Sequence, residues 1–445
     1  MGYDQRACKR SDHAFDRASP RLELGNGLVS AERYFSPTWA AAEWDRIFTK
    51  TWLLAAPVSD LREPGDFVRF NIAHESFIVV RGQDGRLRAF YNVCPHRGSR
   101  VVISDCGSVN RFSCPFHDWK FDLAGHNTYV ADVDTFQPEV LKHNRNLTAV
   151  RCEEAAGLVF ITMHPDPPSL RQWLGPMLPI LEGYEIEKMN VVQHRRAEWA
   201  ANWKMGVDAF YEFYHQYSIH PQTMTMMDDR THIDLYPGGF SRQFVPFARP
   251  GSRCNDQIGV NPALRSMLAD AGVASDQMPS SADRVRASIA AAKRRRAREF
   301  GIDYDRFSDA QLTDAVLCGV FPNVQVVTHP EAIFIHRFMP VIDTPRQMIY
   351  DTMILYRHID APGYGAPAWM GLSKDADLTG TTRPMVVHTP LGATPDMGEV
   401  LDQDFVQMPL VQEGVRSRGF RGAILSEQEI RLRHLHVEID RHVLS

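Results

Sequence analysis

The chain is short of most features that would fix its surroundings at once. Seven cysteines in 445 residues give no disulfide framework, so a reducing, cytoplasmic setting is expected. No apolar run approaches the roughly 20 residues that a membrane span needs. The opening from Met1 to Leu22 is polar and charged and lacks the apolar centre of a secretory signal. Neither sign of charge dominates: the net charge is −5, and nucleic acid is not an expected partner. Internal repeats and low-complexity segments are missing. What is present is 44% hydrophobic and 23% charged, an ordinary globular composition in a chain long enough for two domains.

Along the chain, Ser36-Pro37 opens a helical stretch through Trp44 and Phe48, with Ser as cap and Pro at the first helical position. From about Trp52 short β-like runs take over, among them Phe67–Phe70, Phe77–Val80 and Leu87–Phe90, punctuated by Pro64-Gly65-Asp66 and Asp84-Gly85. This texture continues to Gly157–Ile161, and Pro165-Asp166-Pro167-Pro168 reads as a boundary. Residues 51–165 are therefore expected to form one small all-β domain between residues 1–50 and 166–445. The second part mixes helices (Ala201–Ile219, residues 261–301, and a last helix from the capping box Ser426/Glu429) with strands at Val324–Val327, Ile333–Ile335 and Met348–Tyr350. The basic run Lys293–Arg296 reads as a solvated helix face, and His434, His436 and His442 as surface residues. Cys8, Cys106, Cys152, Cys254 and Cys318 are scattered and read as small buried apolar groups.

Two clusters carry the chemistry. Cys94-Pro95-His96 is followed, after a gap of seventeen residues, by Cys114-Pro115-Phe116-His117. Two thiolates and two imidazoles suit either structural zinc or a [2Fe–2S] cluster. One Cys and one His on each of two short loops is the arrangement of a Rieske centre, with Cys on one iron and His on the other. Pro95 and Pro115 stiffen these loops, while Gly98 and Gly107 allow tight turns. The second cluster is Glu212, His215 and His220. Two His and one carboxylate on one face, with positions left open, describe a ferrous site for oxygen activation. Five residues turn a helix by roughly 500°, so His215 and His220 share a face only if the helix loosens between them.

The segments Asn92–Gly98 and Cys114–Trp119 resemble the Rieske segment of ring-hydroxylating oxygenase large subunits. Asn202-Trp203-Lys204 with Asp208, Glu212, His215 and His220 resembles that family's iron-binding stretch. The resemblance extends from about Phe35 to the final helix. It implies an α+β fold, in which an all-β Rieske domain is inserted in a helix-grip catalytic domain on an antiparallel sheet. It also implies a [2Fe–2S] cluster at Cys94, His96, Cys114 and His117, and mononuclear Fe(II) at His215, His220 and a C-terminal Asp. Within Asp402-Gln403-Asp404, followed by Gln412, it favours Asp404, with Asp402 second. Glu212 takes the place of the family's bridging acid, usually Asp, which links the catalytic histidine to a neighbour's Rieske histidine; Asp208 falls close to the iron, where many members have Asn. Asp118 stands where the family usually has Gly.

By the same likeness, electrons come from NAD(P)H through a reductase or ferredoxin, the substrate and O2 meet at the iron, and the chains form a trimer, in some members with a small beta subunit. Met205, Phe210 and Phe213 are candidates for the substrate pocket, with Phe321 and Phe334 from the sheet. An aromatic or similarly apolar substrate is expected. Alternatives are a monooxygenase or demethylase of a quaternary amine or methoxy compound and, in another class, an electron carrier or a zinc-stabilised binding protein.

Overall fold

The computed structural model describes residues 24–143, 145–254, 258–357, 359, 366, 370–372, 376–393 and 395–444; Cys8 lies outside them. Ser36 caps helix α1 (Pro37–Glu43) by accepting the Trp39 amide, and Pro37 opens it as expected. The helix continues in π-type bonding over Trp44–Phe48, which sinks Trp44, Ile47 and Phe48 into the core.

Ten strands follow: β1 (Leu53–Pro57), β2 (Asp66–Ile72), β3 (Glu75–Arg81), β4 (Leu87–Tyr91), β5 (Cys106–Ser108), β6 (Phe112–Ser113), β7 (Lys120–Phe121), β8 (Asn127–Tyr129), β9 (Ala149–Ala155) and β10 (Leu158–Thr162). Seven form one sheet in the order β1-β10-β9-β4-β3-β2-β5, and β6-β7-β8 form another. The apolar runs that predicted strands become β2, β3, β4 and β10, buried through Phe77–Val80 and Leu158–Ile161.

A third, eight-stranded sheet is built from β11 (Met189–Trp199), β12 (His232–Leu235), β13 (Ser241–Val245), β14 (Ala315–Val320), β15 (Val324–Thr328), β16 (Ala332–Pro340), β17 (Met348–Arg357) and β18 (Val387–Thr389). Its order is β12-β13-β14-β15-β16-β17-β11-β18. Every neighbouring pair is antiparallel except β11 with β18. Around it lie α2 (Leu170–Leu174), α3 (Met177–Glu182), α4 (Trp203–Phe210), α5 (Gln216–Ile219), α6 (Pro262–Asp270), α7 (Val285–Glu299), α8 (Asp309–Thr313), α9 (Glu399–Gly414) and α10 (Ile430–Val443). The all-β part and the antiparallel sheet with helices are the α+β architecture expected.

Three expectations need correction. The stretch Ala201–Ile219 is not one helix: α4 ends at Phe210 and α5 restarts at Gln216. The stretch 261–301 is two helices, α6 and α7, separated by residues 271–284. The Ser426/Glu429 capping box forms, but the helix it introduces is not a surface element. His434 and His436 are 8% and 3% exposed, because α10 packs on α1 and the sheet through Leu432, Leu435 and Ile439. Among the cysteines, Cys318 is buried, whereas Cys106, Cys152 and Cys254 are half-buried.

Candidate metal centre

Two loops place Cys94 and Cys114 in the β-domain interior and leave His96 and His117 half-exposed at its edge. Each loop closes on a backbone bond: Gly98 N donates to Cys94 O at 2.9 Å and Asp118 N to Cys114 O at 3.0 Å. Gly98 and Asp118 have φ of +77° and +54°. Asp is among the few residues that adopt this left-handed region readily, so Asp118 does the turning work expected of Gly. Its carboxylate lies 3.1 Å from Lys120. The His96 and His117 rings stand 4.6 Å apart, and Trp119 stacks on His96 at 4.9 Å. Both cysteines are free thiols. Burial pushes the Cys94 thiol up to about 11, against backbone amides of His96 and Arg97 and alongside the adjoining Cys114. Two adjacent buried thiols with two imidazoles at their open side fit a [2Fe–2S] cluster, whose positive irons would hold the sulfurs as thiolates.

The second group forms where α4 breaks. Asn202 caps α4 by accepting the Lys204 amide at 3.0 Å, and α4 carries the chain to Glu212. There the carboxylate captures the backbone amides of Tyr214 and His215, which ends one helix and starts the next. His215 and His220 thus stand at the two ends of the single turn α5. Asp404 arrives from α9, which is clamped at two points. Trp199 Nε1 donates to Phe405 O at 3.1 Å while the two rings stack at 4.8 Å. Asn202 N donates to Gln412 Oε1 at 2.7 Å. His220 Nε2 lies 3.1 Å and His215 Nε2 3.7 Å from Asp404 Oδ1. The ligand atoms of His215, His220 and Asp404 all lie within 4.8 Å of one another.

The remaining ring nitrogens are also held. His215 Nδ1 meets Glu212 Oε1 at 2.5 Å and His220 Nδ1 meets Gln403 Oε1 at 2.6 Å. An oxygen acceptor behind each imidazole fixes the tautomer that turns Nε2 toward a metal. Burial lowers the His215 pKa, but Glu212 and Asp404 outweigh it and the net shift is upward. A cation is what this clustered negative charge calls for, and two His plus one carboxylate fit ferrous iron.

Asp404, rather than Asp402, joins the cluster; Asp402 instead accepts the Met397 amide at 3.1 Å. Asp208 does not join it. Its carboxylate accepts the Tyr34 hydroxyl at 2.6 Å and meets His436 Nε2 at 3.1 Å. Burial, then Asp208, raises the Tyr34 pKa well above its ordinary value, so that hydroxyl stays a donor. The sequence names Gln403 and Gln412 only as landmarks around Asp404 and gives them no role; in the structure one backs His220 and the other holds Asn202.

The centre opens into a cavity of about 780 Å³ whose walls include Phe210, Phe213, Met227, Phe247 and Phe334. Met205 and Phe321 do not line it: they pack in the main core. One face of the sheet forms the floor. Leu317 pairs with Val327, Val327 with Phe334, and Gln325 with His336, and all five side chains line the cavity.

A family model described as the ring-hydroxylating alpha subunit (catalytic domain) matches residues 186–445, and one described as the Rieske [2Fe-2S] domain matches residues 51–139. The chain belongs to the Rieske ring-hydroxylating oxygenase alpha-subunit family. It is 34% identical over 220 residues to the carnitine monooxygenase oxygenase subunit of Escherichia coli (strain K12), covering 47% of this chain and 56% of that one. It is 30% identical over 192 residues to the glycine betaine monooxygenase oxygenase subunit of Pseudomonas aeruginosa (strain UCBPP-PA14), covering 42% of this chain and 44% of that one. The matched region thus spans about half the length of these curated relatives. A crystal structure of naphthalene 1,2-dioxygenase from Rhodococcus sp. superposes with a TM-score of 0.67 at 19% identity, covering 95% of this chain and 96% of that one. That likeness is one of fold. No helix among the described residues is long and apolar enough to cross a membrane.

Proposed function

We propose that this chain is the terminal oxygenase of a Rieske system and that its substrate is a quaternary ammonium compound oxidised at a carbon next to nitrogen. The observation that carries the oxygenase reading is the convergence of His215, His220 and Asp404 at the head of a largely apolar cavity. An electron carrier or a zinc-stabilised binding protein has no use for a three-donor centre opening on such a space. The aromatic-substrate expectation gives way because the relatives at 34% and 30% identity are named for carnitine and glycine betaine. The cavity suits that chemistry: the faces of Phe210, Phe213, Phe247 and Phe334 offer cation–π attraction and apolar contact to a methylated ammonium.

The cluster supplies single electrons and the ferrous ion supplies the place where dioxygen is activated. Cys94 and Cys114 would hold one iron of the cluster, and His96 and His117 the other; His215, His220 and Asp404 would hold the mononuclear ion. Glu212 fixes His215 through Nδ1 and lies beside the exposed Tyr214, where a neighbouring subunit's half-exposed Rieske histidine can dock. The phenylalanines exclude water and place the substrate carbon. The partners are a reductase or ferredoxin fed by NAD(P)H and further copies of this chain.

The test is oxygen uptake with a surrogate reductase on carnitine, glycine betaine and naphthalene, with aldehyde and diol products assayed. Uptake and aldehyde with a quaternary amine are expected. Uptake with naphthalene alone would overturn the substrate assignment, and iron- and sulfide-replete protein inert to every substrate would overturn the oxygenase reading.

A further inference from the structure

The cavity has a second chemistry at the end away from the metal centre. Gln325, Val327 and His329 alternate along and just beyond β15, and His336, Phe334 and Glu331 run back beside them. The four residue steps from Gln325 to His329 cover about 13 Å of extended chain, so the His329 end lies far from the Phe210–His336 contact beside the metal centre, whose rings are 5.1 Å apart.

At that far end Lys293 turns inward from α7, and its Nζ lies 2.8 Å from Glu331 Oε1, with the two side chains 13% and 8% exposed. This corrects the expectation of a fully solvated basic run: Arg294 pairs outside with Asp309, but Lys293 lines the cavity. Glu331 Oε2 is buried and meets no donor among the described residues. His329 completes the group. Its burial, with Lys293 adding to the effect, pushes its pKa down to about 4 and keeps the ring neutral. Arg296 and Asp270 line the same region, so formal charges stand two against two.

A buried acceptor with no donor is costly and uncommon. Here it sits on an ion pair that faces a ligand-sized space. A carboxylate brought to this end would meet Glu331, and an ammonium would meet Lys293. A hydroxyl or amide oxygen meets neither penalty: it accepts from Lys293 Nζ while Glu331 keeps that ammonium paired.

We propose that Lys293 and Glu331 form a recognition pole for a neutral hydrogen-bonding head, a hydroxyl or an amide, carried by the substrate about 10 Å from the carbon that is oxidised, the separation being about 13 Å of strand less the roughly 3 Å of a hydrogen bond. This rests on the cavity being the substrate pocket and adds a specificity that neither a bare hydrocarbon nor a short trimethylammonium compound would use.

Calorimetric binding to the metal-loaded protein tests it with two pairs of probes. One pair is (hydroxyhexyl)trimethylammonium, with its hydroxyl on the terminal carbon, against heptyltrimethylammonium; the other is phenylhexanol against heptylbenzene. Wild type is expected to favour each hydroxylated probe about tenfold. The double variant Lys293→Met/Glu331→Met, which removes both charges at similar volume, is expected to lose that preference to within twofold while keeping its iron and sulfide. Should the double variant not fold, Glu331→Gln, which keeps the shape, is expected to reduce the preference at least threefold. Equal binding of both members of each pair by wild type, or an undiminished preference in the variants, overturns the pole. If only the phenyl pair binds and discriminates, the pole stands and the quaternary-ammonium reading falls.

Discussion

Glu212 concentrates more roles than any other side chain of the centre. One oxygen fixes the δ nitrogen of His215 and the other ends helix α4 by taking two backbone amides. Glu212→Gln keeps the shape and one acceptor oxygen, enough for either His215 Nδ1 or the two backbone amides but not both, and removes the charge. Iron and acid-labile sulfide per chain are expected to stay at wild-type levels, while the single-turnover rate with pre-reduced cluster falls at least about a hundredfold, about 2.7 kcal/mol in barrier. An unchanged rate would reject the bridging role. At this scale the sequence was legible where ligands are neighbours. Cys94/His96 and Cys114/His117 stand out by short spacing on one loop each, whereas His215/His220, close together but weak alone, gained weight only beside those Cys–His pairs. Asp404 needed the family resemblance, since nothing local marks one acid among many. His436 was misread because a charged helix sequence hides which residues face the core; it is the partner of Asp208 and Tyr34.

Helix α4 owes its position to a residue without a side chain. Gly206 rests against β16 and β17 so closely that a Cβ would come within 2.6 Å of Met348 Cε and Phe338 Cδ1. The Met348 side chain is flexible enough to yield to one methyl, but not to an isopropyl against a packed ring. Gly206→Val is therefore expected to displace α4 and cut mononuclear iron to under half of wild type, with sulfide unchanged; metal analysis of the purified variant checks this. The break between α4 and α5 is not marked in the sequence, because no Gly or Pro stands between Phe210 and Gln216. The break comes from one carboxylate bonding forward to the chain, an interaction that periodicity does not record. The strands were easier to read, since β-branched and aromatic runs bounded by Gly and Pro state themselves locally.

Across the molecule, the seven- and eight-stranded sheets are joined by an ion network that no single segment announces. Asp351 binds Arg337 at 2.6 Å, Arg196 at 2.8 Å and His194 at 3.0 Å. Arg196 reaches Asp105 at 3.3 Å, which also holds Arg69 of β2. Arg337 in turn donates to the carbonyls of Leu54 and Ala55 in β1. Burial alone would raise the Asp351 pKa, but Arg337, His194 and Arg196 overcome it and hold the carboxyl well below its ordinary value. Its contribution to stability is thus present above the unfolded carboxylate pKa of about 3.9 and is lost as pH falls through the depressed folded value. Asp351→Asn, which strands buried arginines, is expected to cost about 3–5 kcal/mol at neutral pH. The deficit is expected to shrink below about pH 4; urea titrations at several pH values measure both.

The donors of the mononuclear centre also have a consequence in time. His215 and His220 leave the ribosome well before Asp404, and α9 must seat against Trp199 and Asn202 before the third oxygen is in place. Mononuclear iron is therefore expected to load as a latch that closes late, and iron in excess of the cluster's share is expected to track how many molecules have docked their C-terminal segment.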